Sequence, residues 1–458
     1  MSLTRRSFLR QSVCAAAGAT ALANTIFDLR RVAAAAALPT LSGDYKALVC
    51  VFLYGGNDGN NMIIPASGTD YQAYARDRAT IAVPQASLLP ITPLSGGDGR
   101  PWALHPSLPQ LKALFDQQKL ALLANVGPLV APLSRTAYLN GSTAVPPQLF
   151  SHSDQTVHWQ TSLPDQPART GWGGRTADLL RVLNGTSQVS MSFSLYSANT
   201  FEVANFVTQY QLSNDGTLEL GGFDPDPATT DPFSRTLRGL LARSYGNLFD
   251  GAYAATMKRA IDNDALLRGA LAGVTLPATV TFPDSDLGQQ LQMVARMIGA
   301  RDALGQRRQI FFCAAGGYAT HGDQLAAQQA LLADLDAALG TFYQCTSAMG
   351  VASSVTAFTA SDFGRTWPDN GGGTDHAWGN HHLILGGAVL GGRLYGHMPT
   401  LASDGPDDAG DDGRWIPTTS VDEYSPTLAR WFGVQATDMS TVFPNLGRFA
   451  HPNLGFLG

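Results

Sequence analysis

Charge is scarce in this chain. Asp, Glu, Lys and Arg make up 14% of its 458 residues, while 44% are hydrophobic. That balance excludes a disordered, self-repelling polymer and leaves ample apolar material for a core. Long basic stripes are missing too, and the formal net charge is −6. Nothing therefore offers the electrostatic footprint that nucleic acid needs, and that partner class is excluded. Beyond the N-terminal region no stretch reaches the roughly 18 uninterrupted apolar residues of a membrane span. Cysteine is rare, with four in the whole chain. Cys14 falls in the leader described next, so Cys50, Cys313 and Cys345 remain. An odd number leaves at least one thiol unpaired within a monomer. Cys50 and Cys313 lie in apolar strand-like runs, where a small buried hydrophobe is the default, and no essential disulfide is expected.

What is present begins with an address. "SLTRRSFLRQSVCAAAGATALA" sets Arg5 and Arg6 ahead of Phe8 and Leu9, followed by a weakly apolar, alanine-rich stretch. This is the layout of a twin-arginine export signal, and Ala33 to Ala37 offers small residues to a signal peptidase. Residues 1–37 are expected to be removed, with the twin-arginine export machinery as a partner. The product is expected to be periplasmic or secreted, with no stable membrane span after cleavage.

The remaining 38–458 are expected to form a single domain. Apolar, β-branched or aromatic runs bounded by turn residues predict strands at "KALVCVFLY" (46–54), "KLALLANV" (119–126), "RQIFFCA" (308–314) and "SVTAFTA" (354–360). Helical patterns lie between them, from Ser107, Asn247, Asp286 and Asp323. Strands without alternation, separated by helices, predict an α/β architecture with a mainly parallel central sheet and helices on both faces. Two polar, turn-rich loop insertions are expected, near 194–235 as a hairpin region over the sheet and near 399–420 as a solvated acidic loop.

In such a sheet ligands gather beyond the carboxyl ends of the strands. Chemistry appears there in the sequence: "GGNDGNN" after the first run, "GGYATHGDQ" after the 308 run and "SDFGRT" after the 354 run. Asp58 sits on the first of these turns, where a carboxylate reaches a cation or simply makes an Asn-Asp-Gly turn. "LFSHSDQTVHWQT" (149–161) puts Ser151, His152, Ser153 and Asp154 just before a helix. That position suits a nucleophile for phosphate or sulfate, and equally a plain helix cap. His321 and Asp323 precede another helix, where metal ligation competes with helix capping by Asp323. After the last strand come Asp362, Arg365 as a partner for an anionic substrate, and Asp375 and His376 behind a glycine loop. His381 and His382 are adjacent and point different ways, so at most one is a ligand. His105, His397 and His451 lack acidic company and read as structural.

The leader, "VFLYGGNDGNN", "LFSHSDQTVHWQT" with "GWGGR", "GGYATHGDQ", "SDFGRT", "GTDHAWGNHH" and "LGGAVLGGRLYG" together resemble the exported bacterial family known as domain of unknown function 1501. The resemblance runs from about Lys46 to the C-terminal "LARWFG". That family is similar in fold to the alkaline phosphatase and sulfatase superfamily, which implies an alkaline-phosphatase-like domain with two metal sites. Carried over, the resemblance makes Asp58, His321, Asp362 and His376 metal ligands, Ser151 the nucleophile and Arg365 the group that orients the anion. Zinc or manganese suits mixed Asp and His ligation, with magnesium or calcium where carboxylates dominate. The implied activity is an exported metallohydrolase of phosphate or sulfate esters, its partner a small anionic ester. Departures weaken this: Ala319 and Phe363 stand where relatives carry ligands, and no sulfatase-type Cys/Ser-x-Pro-x-Arg signature occurs. The alternative is a non-catalytic exported protein with a degenerate site that binds an envelope component or assists a secreted partner.

Overall fold

Lys46–Leu53 forms strand β1, and its side chains leave alternately through both faces of a sheet. Ala47, Val49, Val51 and Leu53 enter one apolar cluster, Leu48, Cys50 and Phe52 another. A strand buried on both sides needs no polar alternation, which is why its sequence shows none. In this computed structural model residues 44–217, 220–226 and 228–458 are described; the predicted export signal lies outside them.

The later strands are β2 (Ile63–Pro65), β3 (Leu89–Ile91), β4 (Trp102–Leu104), β5 (Leu120–Gly127), β6 (Ser192–Ser194) and β7 (Tyr210–Ser213). They continue with β8 (Gly216–Thr217), β9 (Arg308–Ala315), β10 (Val355–Ser361), β11 (Asn380–Gly386), β12 (Leu394–Gly396) and β13 (Thr419–Ser420). The central sheet runs β12-β5-β11-β10-β1-β9-β6-β7-β8, with β13 also on β5, and β2, β4 and β3 make a small second sheet. The small sheet is antiparallel; in the central sheet neighbours are parallel except that β11 runs against β10 and β5, and β8 against β7. This is the expected mainly parallel α/β sheet, and all four strands named from the sequence are in it. The residues around 210–217 do form a hairpin, but it extends the sheet beyond β6 instead of lying over it. An edge strand's unpaired amides and carbonyls favour that placement.

Helices Pro109–Asp116, Asp286–Gly299 and Gln324–Ala348 contribute to the first cluster. Helices His152–Thr161, Trp172–Leu180, Val421–Phe432 and Met439–Val442 contribute to the second, so both faces are covered. Cys50, Cys313 and Cys345 are buried and unbridged. Among the described residues no helix is long and apolar enough to cross a membrane. The consequence for function is geometric. Strands β1, β5, β9 and β10 end at one edge, and β11 begins there, with Asn380 opposite Val126.

The 399–420 loop keeps Asp404 and Asp411 exposed, as expected, and departs from the expectation at one aspartate. Asp408 in its middle is fully buried, not solvated. Its Oδ2 accepts the N–H groups of Asp404 (2.9 Å) and Gly413 (2.8 Å), and its Oδ1 those of Gly410 (3.0 Å) and Arg414 (2.9 Å). A carboxylate that satisfies several amides organises irregular backbone as a strand ladder would. Replacing it by Ala strands those donors. Asp408→Ala is expected to lower the unfolding free energy by about 3 kcal/mol, measured as a denaturant midpoint, whereas exposed Asp411→Ala should leave it unchanged.

Candidate functional site

The edge is fastened before any chemistry is placed on it. Ser361, last in β10, donates from Oγ to the Leu53 carbonyl (2.6 Å) and accepts the Asn57 N–H (2.9 Å). Between these, Gly55 and Gly56 turn the chain with φ of 114° and 81°, a region that side chains disfavour. A Cβ at Gly55 would fall 2.3 Å from the Ala319 nitrogen, and one at Gly56 would fall 2.5 Å from the Phe363 ring. The glycines therefore let the turns after β1, β9 and β10 meet.

Asp362 follows Ser361 directly and is buried. Its Oδ2 accepts the Gly55 N–H (3.2 Å) and pairs with Nδ1 of His152 (2.6 Å), the first residue of helix His152–Thr161. Its Oδ1 is buried without a hydrogen-bond partner. His376 lies at the far side of the 366–375 loop, its Nδ1 2.8 Å from the Phe150 carbonyl. His321, from the turn after β9, places Nδ1 3.1 Å from Asp375 Oδ1. Carbonyl and carboxylate oxygens only accept, so each of the three Nδ1 atoms carries the proton. Each Nε2 is thereby left as the ring's unprotonated nitrogen. The Nε2 atoms of His321 and His376 stand 3.1 Å apart. Two lone pairs repel at that distance, so a shared proton or a cation must close the contact. The His152 ring meets the His376 ring edge-on at 4.3 Å, and Phe363 flanks both at 4.6 and 4.7 Å.

Electrostatics around the cluster are mixed. Partial burial holds His376 below the ordinary imidazole range, helped by His152, Arg365 and His321 and opposed by the Phe150 carbonyl. Burial pushes the Asp375 carboxyl up, but Asn370, His321 and Arg365 outweigh it and bring it below the usual range. The backbone leading in is strained. Gln148 and Phe150 have φ of 53° and 70°, each a conformation costing on the order of 1–3 kcal/mol for such residues.

Of the six expected site residues, the structure gathers His321, His376 and Asp362 around His152, with Ser151 next to it in the chain. Ser151 is the helix N-cap residue, yet its hydroxyl caps no amide; Oγ donates to Asp154 Oδ2 at 2.6 Å. Two expectations need correction. Asp58, read as a metal ligand, is fully buried and saturated: Oδ1 takes the Asn60 N–H (3.0 Å), and Oδ2 binds the Arg78 guanidinium and the Gln324 amide. Arg365, read as the anion's partner, is fully buried and spends its guanidinium on Thr374 and the Gly55 carbonyl. Burial lowers it to about 10, against the pull of Asp58, Asp375 and Asp362, so it remains a cation. Asp323 stands at the helix N-cap in a left-handed conformation and makes no capping bond. His381 and His382 are both interior, pushed down to about 3 by burial, and neither faces the cluster as a ligand.

His152, Asp375 and Arg414 are the residues that sequence reading left without a role. Arg414, from the loop organised by Asp408, donates to the His376 carbonyl (3.0 Å) and lies over the Phe150 ring at 5.0 Å. His152 had a signal, an imidazole beside Ser151; nothing in the chain marked Asp362 as its partner 210 residues away. Imidazole nitrogens suit zinc, mixed imidazole and carboxylate donors zinc or manganese, and a second hydrogen bond that fixes the ring is the usual companion of a ligating histidine. The donors here fit that chemistry. Among the described residues, however, no three His, Cys, Asp or Glu side chains already converge to hold a metal ion.

The sequence profile of the family described as "Protein of unknown function (DUF1501)" matches residues 45–409. No curated protein matches the chain in sequence. Among solved structures it is similar to the phosphonate monoester hydrolase of Agrobacterium radiobacter, at 12% identity and a TM-score of 0.33, over 85% of this chain and 74% of that one. It is also similar to a sulfatase from Pseudoalteromonas sp., at 11% identity and 0.31, over 82% and 69%. The lipoteichoic acid synthase of Listeria monocytogenes gives 9% and 0.32, over 86% and 73%. Superpositions this loose leave any activity to be argued from the residues themselves.

The Asp58–Arg78 pair makes the site's inner wall testable. Arg78→Met leaves a buried carboxylate unpaired, and the unfolding free energy should fall by roughly 3–5 kcal/mol. The double variant Asp58→Asn/Arg78→Met should recover most of that loss in urea unfolding. A double variant no more stable than the single one would contradict the ion-pair reading.

Proposed function

The chain belongs to the DUF1501 family, and from the site at its sheet edge we propose that it is an exported hydrolase acting on phosphate or sulfate esters. One observation carries the reading. Three imidazoles, each with Nδ1 bonded to an oxygen, form a contact chain from His152 at the helix start through His376 to His321, whose Nε2 lies 3.1 Å from that of His376. Paired Arg5 and Arg6 support export through the twin-arginine route.

In this reading Ser151 Oγ attacks the phosphorus or sulfur atom in line, its proton drawn toward Asp154. The first-turn amides of helix His152–Thr161 and the helix dipole face the anionic oxygens. The Nε2 lone pair of His152, its ring oriented by Asp362, then takes up the Ser151 proton and passes it to the departing alcohol. Arg365 adds positive potential from behind without touching the substrate. His321 and His376, whose Nε2 atoms stand 3.1 Å apart, are the residues that would hold a divalent cation, zinc by donor type. Such an ion supplies charge withdrawal from the transferring group.

A second reading has its own support. Phe363 packs against His152 and His376, and Asp58 is sealed by Arg78, as expected of a degenerate site in a non-catalytic binding or accessory protein. Turnover separates the two. With zinc or manganese supplied, purified protein should hydrolyse members of a phosphate, phosphonate and sulfate ester panel. Ser151→Ala and His376→Ala should each lower kcat by about 100-fold or more, while leaving thermal unfolding unchanged. Activity indifferent to both substitutions would overturn the assignment, and a folded protein inert on every ester would favour the accessory role.

A further inference from the structure

Away from the site, helices Pro232–Leu241 and Leu248–Ala272 form an arm whose composition is at odds with a solvent-facing surface. Leu248 and Phe249 are each 82% exposed, Tyr253 69% and Phe233 50%. Leu240 and Tyr245 are exposed as well. The longer helix has 25 residues and buries Ala254, Asp264, Leu267 and Leu271, so its first two turns and a half contribute only Ala254 to the interior. Phe249 and Tyr253 are four apart and share one side of it. Single exposed apolar residues are ordinary on a folded protein; several large ones grouped on one arm mark a contact surface.

The charge on the arm narrows the partner. Along the arm, from Pro232 to Ala272, stand Arg235, Arg238, Arg243, Lys258, Arg259 and Arg268 against Asp250, Asp262 and Asp264, in a chain whose formal net charge is −6. Lys258 pairs with Asp262 and Arg268 with Asp264, so the excess of positive charge lies toward Arg235 and Arg243. A basic patch on an acidic protein repels a second copy of the same patch and attracts an anionic surface. Tyr and Phe are side chains that settle at the level of lipid headgroups, and Lys and Arg gain from anionic headgroups there. We propose that this arm docks the protein on an anionic lipid bilayer, with Leu248, Phe249 and Tyr253 entering the headgroup boundary and Arg235 and Arg243 meeting lipid phosphates.

The test is co-sedimentation of the full chain with vesicles of phosphatidylcholine alone or mixed with phosphatidylglycerol. Binding to the mixed vesicles should exceed binding to the neutral ones by about tenfold and weaken with added salt. Leu248→Ser/Phe249→Ser should reduce binding to the mixed vesicles about tenfold, and Arg235→Gln/Arg243→Gln should bring it down to the neutral level. Circular dichroism and thermal unfolding check that both variants are folded. Equal binding by the serine variant, or no preference for anionic vesicles, would overturn the proposal. So would a concentration-dependent dimer that the serine variant abolishes in the absence of vesicle binding.

Discussion

The carboxylate of Asp362 holds together three parts of the chain that share no sequence neighbourhood. From the end of β10 it accepts the Gly55 amide of the turn after β1 and fixes the His152 imidazole that opens a helix on one face of the sheet. Buried and charge-assisted, such bonds are stronger than ordinary surface ones and set orientation as well as position. Together with the bond between His376 and the Phe150 carbonyl, that grip holds the start of the helix carrying Ser151 and His152 against His376. The parallel sheet brings the loops to one edge; the Asp362 carboxylate decides how they face one another.

Two kinds of polar chemistry divide the edge between them. Toward the interior, Asp58, Arg78 and Gln324 form a closed set in which every charge is matched, and Gln324 reaches on to Thr374 beside Arg365. Toward solvent, the three histidines have Nδ1 satisfied by an oxygen, and the Nε2 atoms of His321 and His376 meet with room for a proton or a cation between them. The closed set is expensive to disturb and has nothing left to offer a ligand. The open set has the opposite property. Backbone strain at Gln148 and Phe150 belongs to the second group, since the Phe150 carbonyl is what holds the proton of His376 in place.

Much of this was legible in the chain. Uninterrupted apolar runs gave β1, β5, β9 and β10 to within a residue or two, because a strand covered on both faces must be apolar throughout. β11 escaped notice because it opens with Asn380, His381 and His382, polar residues whose burial depends on Trp159, Tyr424 and Asn125 from elsewhere in the fold. The turns that carry chemistry were visible as Asp and His after glycine. Their roles were not, since a carboxylate that ligates and one that pairs with a distant arginine look alike in sequence. Asp58 became structural through Arg78, twenty residues on, and Asp408 through four amides of its own loop. His152, read first as company for Ser151, gained its part from Asp362.

The central claim is that three imidazoles at the sheet edge keep their protons on Nδ1 and leave Nε2 as the nitrogen available to a proton or a cation. Nitrogen-detected NMR of the imidazole rings, recorded on metal-free protein above neutral pH and again with added zinc, reads this directly. The account predicts Nδ1–H tautomers for His152, His321 and His376, with Nε2 resonances of His321 and His376 moving together on zinc addition. Nε2–H tautomers at these positions, or rings indifferent to zinc, would contradict it.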